Sequence, residues 1–205
     1  LLPLLRELGI HRVHLDASAS REHQHFAYSV DQVNAILREL PCAATIHVWP
    51  SPFVVRELLL RSEDSVLIHA DSPPGALEQA LVVAGPHATG LIIDAPEVLD
   101  HSLQMCKRHA LLNLTILCIP IATRGTPPSR WALELLATLQ GLRKQLPANC
   151  QLGLDGGVSR DTFSRIAGFG LNAIVVGSIL FDNPASLASI GSNYRWMTSS
   201  AHCRQ

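Results

Sequence analysis

Four side chains have the types and settings to hold a divalent ion. His14 and Asp16 stand two apart in the apolar run Ile10 to Asp16, so on a strand both point to one side. His47 lies in the run Ala43 to Trp49, and Asp155 ends the run Gln151 to Asp155. If each run is a strand and the strands lie parallel, all four residues gather at the C-terminal ends. Two imidazoles and two carboxylates suit one divalent ion such as Zn, Fe, Mn or Co, with positions left for substrate oxygens. Taken singly, an inward histidine on a barrel strand is more often a hydrogen-bonded core residue than a metal ligand. An inward aspartate is harder to dismiss, because an unpaired buried carboxylate either costs several kcal/mol or gives up its charge. His69, ending the run Ser65 to Ala70, is a weaker candidate to line the same site.

Asp155 is followed by Gly156, Gly157 and Val158, and the next apolar run ends at Gly177 and Ser178. Glycine pairs let backbone N–H groups approach a ligand that a Cβ would push away. Two such turns on consecutive parallel strands can share one anion, of which phosphate is the natural case. The bland alternative is that Asp155 caps the next helix and the glycines punctuate turns.

The elements that must carry these residues follow from periodicity. Strands are predicted over Ile10 to Asp16, Ala43 to Trp49, Ser65 to Ala70, Gly90 to Asp94, Leu112 to Ile119, Gln151 to Asp155 and Leu171 to Val176. Helices fall between them: Val30 to Leu40, Val54 to Leu60, Pro74 to Val83, Pro96 to His109, Pro127 to Gln145 and Ser159 to Ala167, with Leu1 to Leu8 ahead of the first strand. Regular alternation without hairpins predicts parallel βα units. An open doubly wound sheet would also use seven strands. Absence of a break for a switch point favours a (β/α)8 TIM barrel whose first strand lies upstream of Leu1. No linker divides the chain, so residues 1–205 are expected to form one domain. Residues 186–205 are either a last helix with a ragged end or a segment that folds onto a neighbour.

Composition narrows the function classes. The 205 residues are 47% hydrophobic and 16% charged with a net charge of −1, which gives no basic surface for nucleic acid. No apolar run is long enough to cross a bilayer. Five cysteines, odd in number and without a close pair, are expected as reduced thiols, which suggests a cytoplasmic protein.

At these residues the chain resembles the ribulose-phosphate 3-epimerase family of (β/α)8 barrels, over roughly Leu4 to Phe181. The family's His-x-Asp strand end appears as His14, Leu15, Asp16. Its His-x-Met strand with a following proline turn appears as His47, Val48, Trp49, Pro50, Ser51, Pro52. Its Asp-Gly-Gly-Val appears as Asp155 to Val158, and its Gly-Ser-x-x-Phe as Gly177, Ser178, Ile179, Leu180, Phe181.

The resemblance implies metal-assisted inversion at C3 of a ketose phosphate, with His14, Asp16, His47 and Asp155 as ion ligands and Asp16 and Asp155 as the proton carriers. It further implies phosphate held at Gly156, Gly157, Gly177 and Ser178, and a homo-oligomer as the working form. A non-catalytic relative that binds sugar phosphate, or another phosphosugar barrel enzyme such as a hexulose-phosphate synthase, is the alternative. The chain departs from the family at Ala17 to Ser20, where x-Met-Asp-Gly is usual, and at Trp49, where the family has methionine. It departs again over Leu117 to Thr126, the counterpart of a substrate-closing loop, where Arg124 either replaces lost backbone contacts with a charge near the phosphate or, as the ordinary default, is a solvated loop arginine.

Overall fold

The computed structural model describes residues 2–19, 27–49, 52–71, 73–117, 134, 139–167, 170–181 and 187–202. Among the described residues seven strands are present: β1 (Arg12–Ala17), β2 (Ala43–Val48), β3 (Ser65–His69), β4 (Ala88–Ile93), β5 (Asn113–Leu117), β6 (Gln151–Asp155) and β7 (Ala173–Val175). They pair in chain order and every pairing is parallel. Parallel neighbours require a crossover at each step. The helices are α1 (Leu2–Glu7), α2 (Val30–Glu39), α3 (Pro52–Glu57), α4 (Pro74–Ala84), α5 (Leu99–Arg108), α6 (Leu139–Gln145), α7 (Arg160–Ala167), α8 (Ser178–Phe181) and α9 (Leu187–His202). Although β1 and β6 lie five steps apart in the sheet, His14 on one is 3.3 Å from Asp155 on the other. The sheet is therefore curled into a nearly closed barrel, with β1 and β7 on either side of the seam.

Strand period sorts the side chains into two environments. Outward residues are apolar: Ile46, Val66, Ile68, Leu91, Ile93, Leu114, Ile116, Leu152 and Leu154 are buried against the helices in one continuous core. Each such burial is worth about 1.5–3 kcal/mol against exposure. Inward residues are mixed. Leu67 and Ile92 make a separate small apolar cluster, and Arg12 spans the N-terminal end, donating to Ala44 O, Thr45 Oγ1, Ser65 Oγ and Glu63 O.

The interior is narrow enough to demand glycine. A Cβ on Gly90 would sit 2.1 Å from Asn113 O, and one on Gly153 would sit 2.7 Å from Thr115 Oγ1.

Helix ends follow local chemistry. Ser29 accepts from Gln32 N while Gln32 Oε1 accepts from Ser29 N, a capping box that starts α2. Pro74 opens α4, where a missing N–H costs nothing. The segment after residue 186 resolves as a helix: on α9, Trp196 packs 5.7 Å from Phe163 of α7 and lies under the Arg160 guanidinium. The loop with His23 and His25, residues 118–126 with Arg124, and most of the predicted helix before Leu139 lie outside the described residues.

One buried polar cluster ties the N-terminal ends of β2 and β3 to α2. The Asp64 side chain is fully buried and accepts from Ala44 N, Arg61 N, Arg61 Nε and Arg61 Nη2 at 2.8–2.9 Å. Arg61 also donates to Leu40 O and Cys42 O. Removing one partner strands the other, so Asp64→Ala is expected to lower unfolding free energy by about 3 kcal/mol, read from the urea midpoint. Burial works to raise the Asp64 pKa, but the hydrogen bonds from Arg61 and from Ala44 N outweigh it and lower the value. A depressed folded pKa gives stability that is full above the unfolded aspartate value of about 4. That contribution fades as pH falls below it toward the folded value; the Ala variant should lack this part of the acid dependence.

Candidate functional site

β1 follows Gly9, which ends the preceding turn with φ +65°, and carries His14 and Asp16 on its inward side. In the β1–β2 register Asp16 lies opposite His47. Asp16 Oδ1 is 3.1 Å from His47 Nδ1 and 3.4 Å from His14 Nε2. Asp155 closes β6, with Oδ2 3.3 Å from His14 Nε2. The chain turns at once through Gly156 and Gly157, at φ +82° and +69°, a conformation that side-chain-bearing residues rarely adopt. The Gly156 amide beside the Asp155 carboxylate favours its charged form, and Thr162 Oγ1 donates to Gly157 O at 3.1 Å, pinning the turn to α7.

All four side chains singled out from the sequence thus meet at the C-terminal mouth, with one donor atom from each lying within 4.8 Å of the others. Ligands about 2.1 Å from a common ion can be at most about 4.2 Å apart. The widest pair exceeds that limit by roughly half an ångström, so the four donors would have to draw together to share one ion. The fully buried His47 has an Nε2 without a hydrogen-bond partner, a ring with bonding capacity to spare.

Electrostatics divide the cluster. Burial would raise the Asp16 pKa, but hydrogen bonds from His14 and His47 outweigh it and hold the carboxyl well below its usual range. Burial pushes Asp155 up, with His14 opposing and Asp16 reinforcing the rise. At His14 burial opposes charge, yet Asp155 and Asp16 win and the pKa is raised. Burial dominates at His47, which is pushed down to about 4; its ring is neutral near pH 7, the form that binds metals.

Three further residues border the quartet. Trp49, just past β2, stacks on the His47 ring at 4.3 Å, and His69 packs on the same ring at 5.6 Å. His69 also faces Asp94, the residue after β4, with Nε2 to Oδ2 at 3.6 Å. Asp94 was not singled out from sequence, although its place two residues after inward Ile92 was a usable signal. Gly177 and Ser178 lie at the start of α8, one strand along from Asp155.

No protein family and no curated protein sequence matches the chain. Among solved structures, similarity is found to a 3-hexulose-6-phosphate synthase from Salmonella typhimurium, at 13% identity and TM-score 0.63 over 93% of this chain and 88% of that one. A phosphoribosyl anthranilate isomerase from Thermus thermophilus gives 18% identity and TM-score 0.60 over 96% and 92%. The native KDPGal structure gives 13% identity and TM-score 0.57 over 98% and 85%. Likeness at such identities speaks for architecture, and with the parallel order of the seven strands it establishes that this chain has the TIM-barrel fold.

Proposed function

We propose that the barrel is a metal-dependent 3-epimerase of a ketose phosphate, converting D-ribulose 5-phosphate to D-xylulose 5-phosphate or inverting a close analogue. The observation that carries this reading is the convergence of His14, Asp16, His47 and Asp155 within 4.8 Å at the barrel mouth. A divalent ion held by these four would polarise the C2 carbonyl and so acidify the C3 hydrogen. The side chains then have separate tasks. In this reading Asp16 and Asp155 would each present a carboxylate to one face of a flat enediolate. One takes the C3 proton and the other returns a proton to the opposite face, which inverts the centre. His14, within 3.4 Å of both carboxylates, holds them in register. Backbone N–H groups at Gly156, Gly157 and Gly177, with Ser178, would receive the phosphate.

The likeness to a 3-hexulose-6-phosphate synthase favours a second reading, an aldol-type synthase that uses the same polarised carbonyl. The two differ in where carbon acidity is needed. Ion analysis of the purified chain followed by incubation with ribulose 5-phosphate in heavy water separates them. Deuterium at C3 with xylulose 5-phosphate formed supports the epimerase; deuterium at C1 alone supports the synthase. A chain without bound ion that labels neither carbon ends both readings and leaves a sugar-phosphate-binding barrel.

A further inference from the structure

One hydrogen bond orients the His47 ring. Its Nδ1 lies 3.1 Å from Asp16 Oδ1, so Nδ1 is the nitrogen turned toward the quartet, and an ion shared with Asp16 would take that atom. The bond that now aims the ring is then given up. A ligating histidine is ordinarily held from behind, its other nitrogen donating to a carboxylate or a carbonyl. That support is missing at His47, whose Nε2 is buried without a hydrogen-bond partner. What packs on the ring instead is aromatic. The Trp49 indole lies at 4.3 Å and 27°, the His69 ring at 5.6 Å and 12°, and Trp49 and His69 are themselves 5.9 Å and 22° apart. Three rings are thus nearly parallel, with the His47 side chain fully buried. An imidazole swings readily about its terminal torsion, which tips the nitrogen lone pair out of line with an ion. A ring stacked on an indole is kept from tipping.

We propose that Trp49 is a positioning residue that fixes the plane of the His47 ring and so keeps Nδ1 aimed at an ion shared by the quartet. Stacking does here, by contact over the ring face, what an outer hydrogen bond does for other ligating histidines. Trp49 needs only its packed face for this, whatever else its side chain touches. The role rests on the ion reading of the quartet and deepens it, from which side chains bind the ion to what aims one of them.

The test is calorimetric titration of the chelated protein with Co(II), followed by proton spectra of the loaded forms, in which the paramagnetic ion shifts the ring hydrogens of each ligating imidazole far from the rest. Trp49→Leu removes the ring face. Trp49→Met does so with a side chain flexible enough to fill the gap should the leucine variant not fold, and a cooperative urea transition shows which is folded. Both should bind Co(II) about ten- to hundredfold more weakly than the wild type. Their spectra should show one sharp set of imidazole resonances where the wild type shows two. Trp49→Phe keeps a ring to stack and should stay within about threefold of the wild type, with both sets present. A leucine or methionine variant that binds as tightly as the wild type, weaker binding with both sets as sharp as before, or a phenylalanine variant no better than leucine would overturn the inference. So would a wild type with fewer than two ligating imidazoles. One imidazole lost with the indole, in a chain that exchanges nothing at C3, upholds the inference while removing the epimerase reading; unchanged affinity in a chain that exchanges C3 hydrogen does the reverse.

Discussion

Asp155→Asn is expected to lower kcat for C3 inversion by about 10³-fold while ion content stays near the wild-type value. Asparagine keeps the shape and one oxygen for an ion but cannot hold a proton at that oxygen. The carboxylate it replaces sits 3.3 Å from His14, a contact that an amide oxygen can largely preserve. What is lost is proton transfer on one face of the substrate. A two-carboxylate site therefore predicts a one-sided defect: started from one epimer, C3 hydrogen still exchanges with solvent through Asp16; started from the other, exchange falls with turnover. Exchange from both epimers in heavy water, followed by proton resonance, reads this directly. Equal loss from both with reduced ion content would mean that Asp155 serves only as a ligand. Wild-type rates from both would remove it from the reaction altogether.

That asymmetry is a demand on placement, and much of the placement was legible before any coordinates. A strand repeats every two residues, so His14 and Asp16 had to share a side. Parallel order put His47 on the next strand, and an acid before a glycine pair marked the end of β6. Each of these signals is contained within one element. Asp94 and its partner were harder to read, because pairing His69 with Asp94 depends on the β3–β4 register, and that register shifts between Val66 and Leu67. Counting along either strand does not reveal an offset between them. Trp49 was legible as a departure but not as a contact; its stacking on His47 is set by where the chain leaves β2, beyond the reach of strand period. The short extent of β7, Ala173–Val175 against a predicted Leu171 to Val176, has a similar origin: Leu171 and Val176 pack against the core from outside the ladder.

The stacking also gives the ion a reporter that does not rely on turnover. Chelation of the purified chain is expected to abolish C3 exchange, by at least about 10³-fold, and re-addition of one equivalent of a divalent ion should restore it. Ion bound to the folded chain alone adds stability by mass action, about 2.7 kcal/mol at a free concentration of 100 Kd. The chelated protein should therefore melt at a lower temperature. With the indole 4.3 Å from the His47 ring, titration with Co(II) should quench Trp49 emission; Trp49→Phe supplies the baseline from the other two tryptophans. His47→Gln should lose both the quenching and the thermal shift, because it removes a neutral imidazole from the donor set and leaves Asp16 with one histidine partner instead of two. A cooperative urea transition in the chelated state separates this from misfolding; a buried, hydrogen-bonded ring is lost, so a folded apo variant should be about 1–3 kcal/mol less stable than the chelated wild type. Co(II) that changes neither the melting temperature nor Trp49 emission, in a chain that still exchanges C3 hydrogen after chelation, would show that the quartet is a hydrogen-bonded core and that the carboxylates act without an ion.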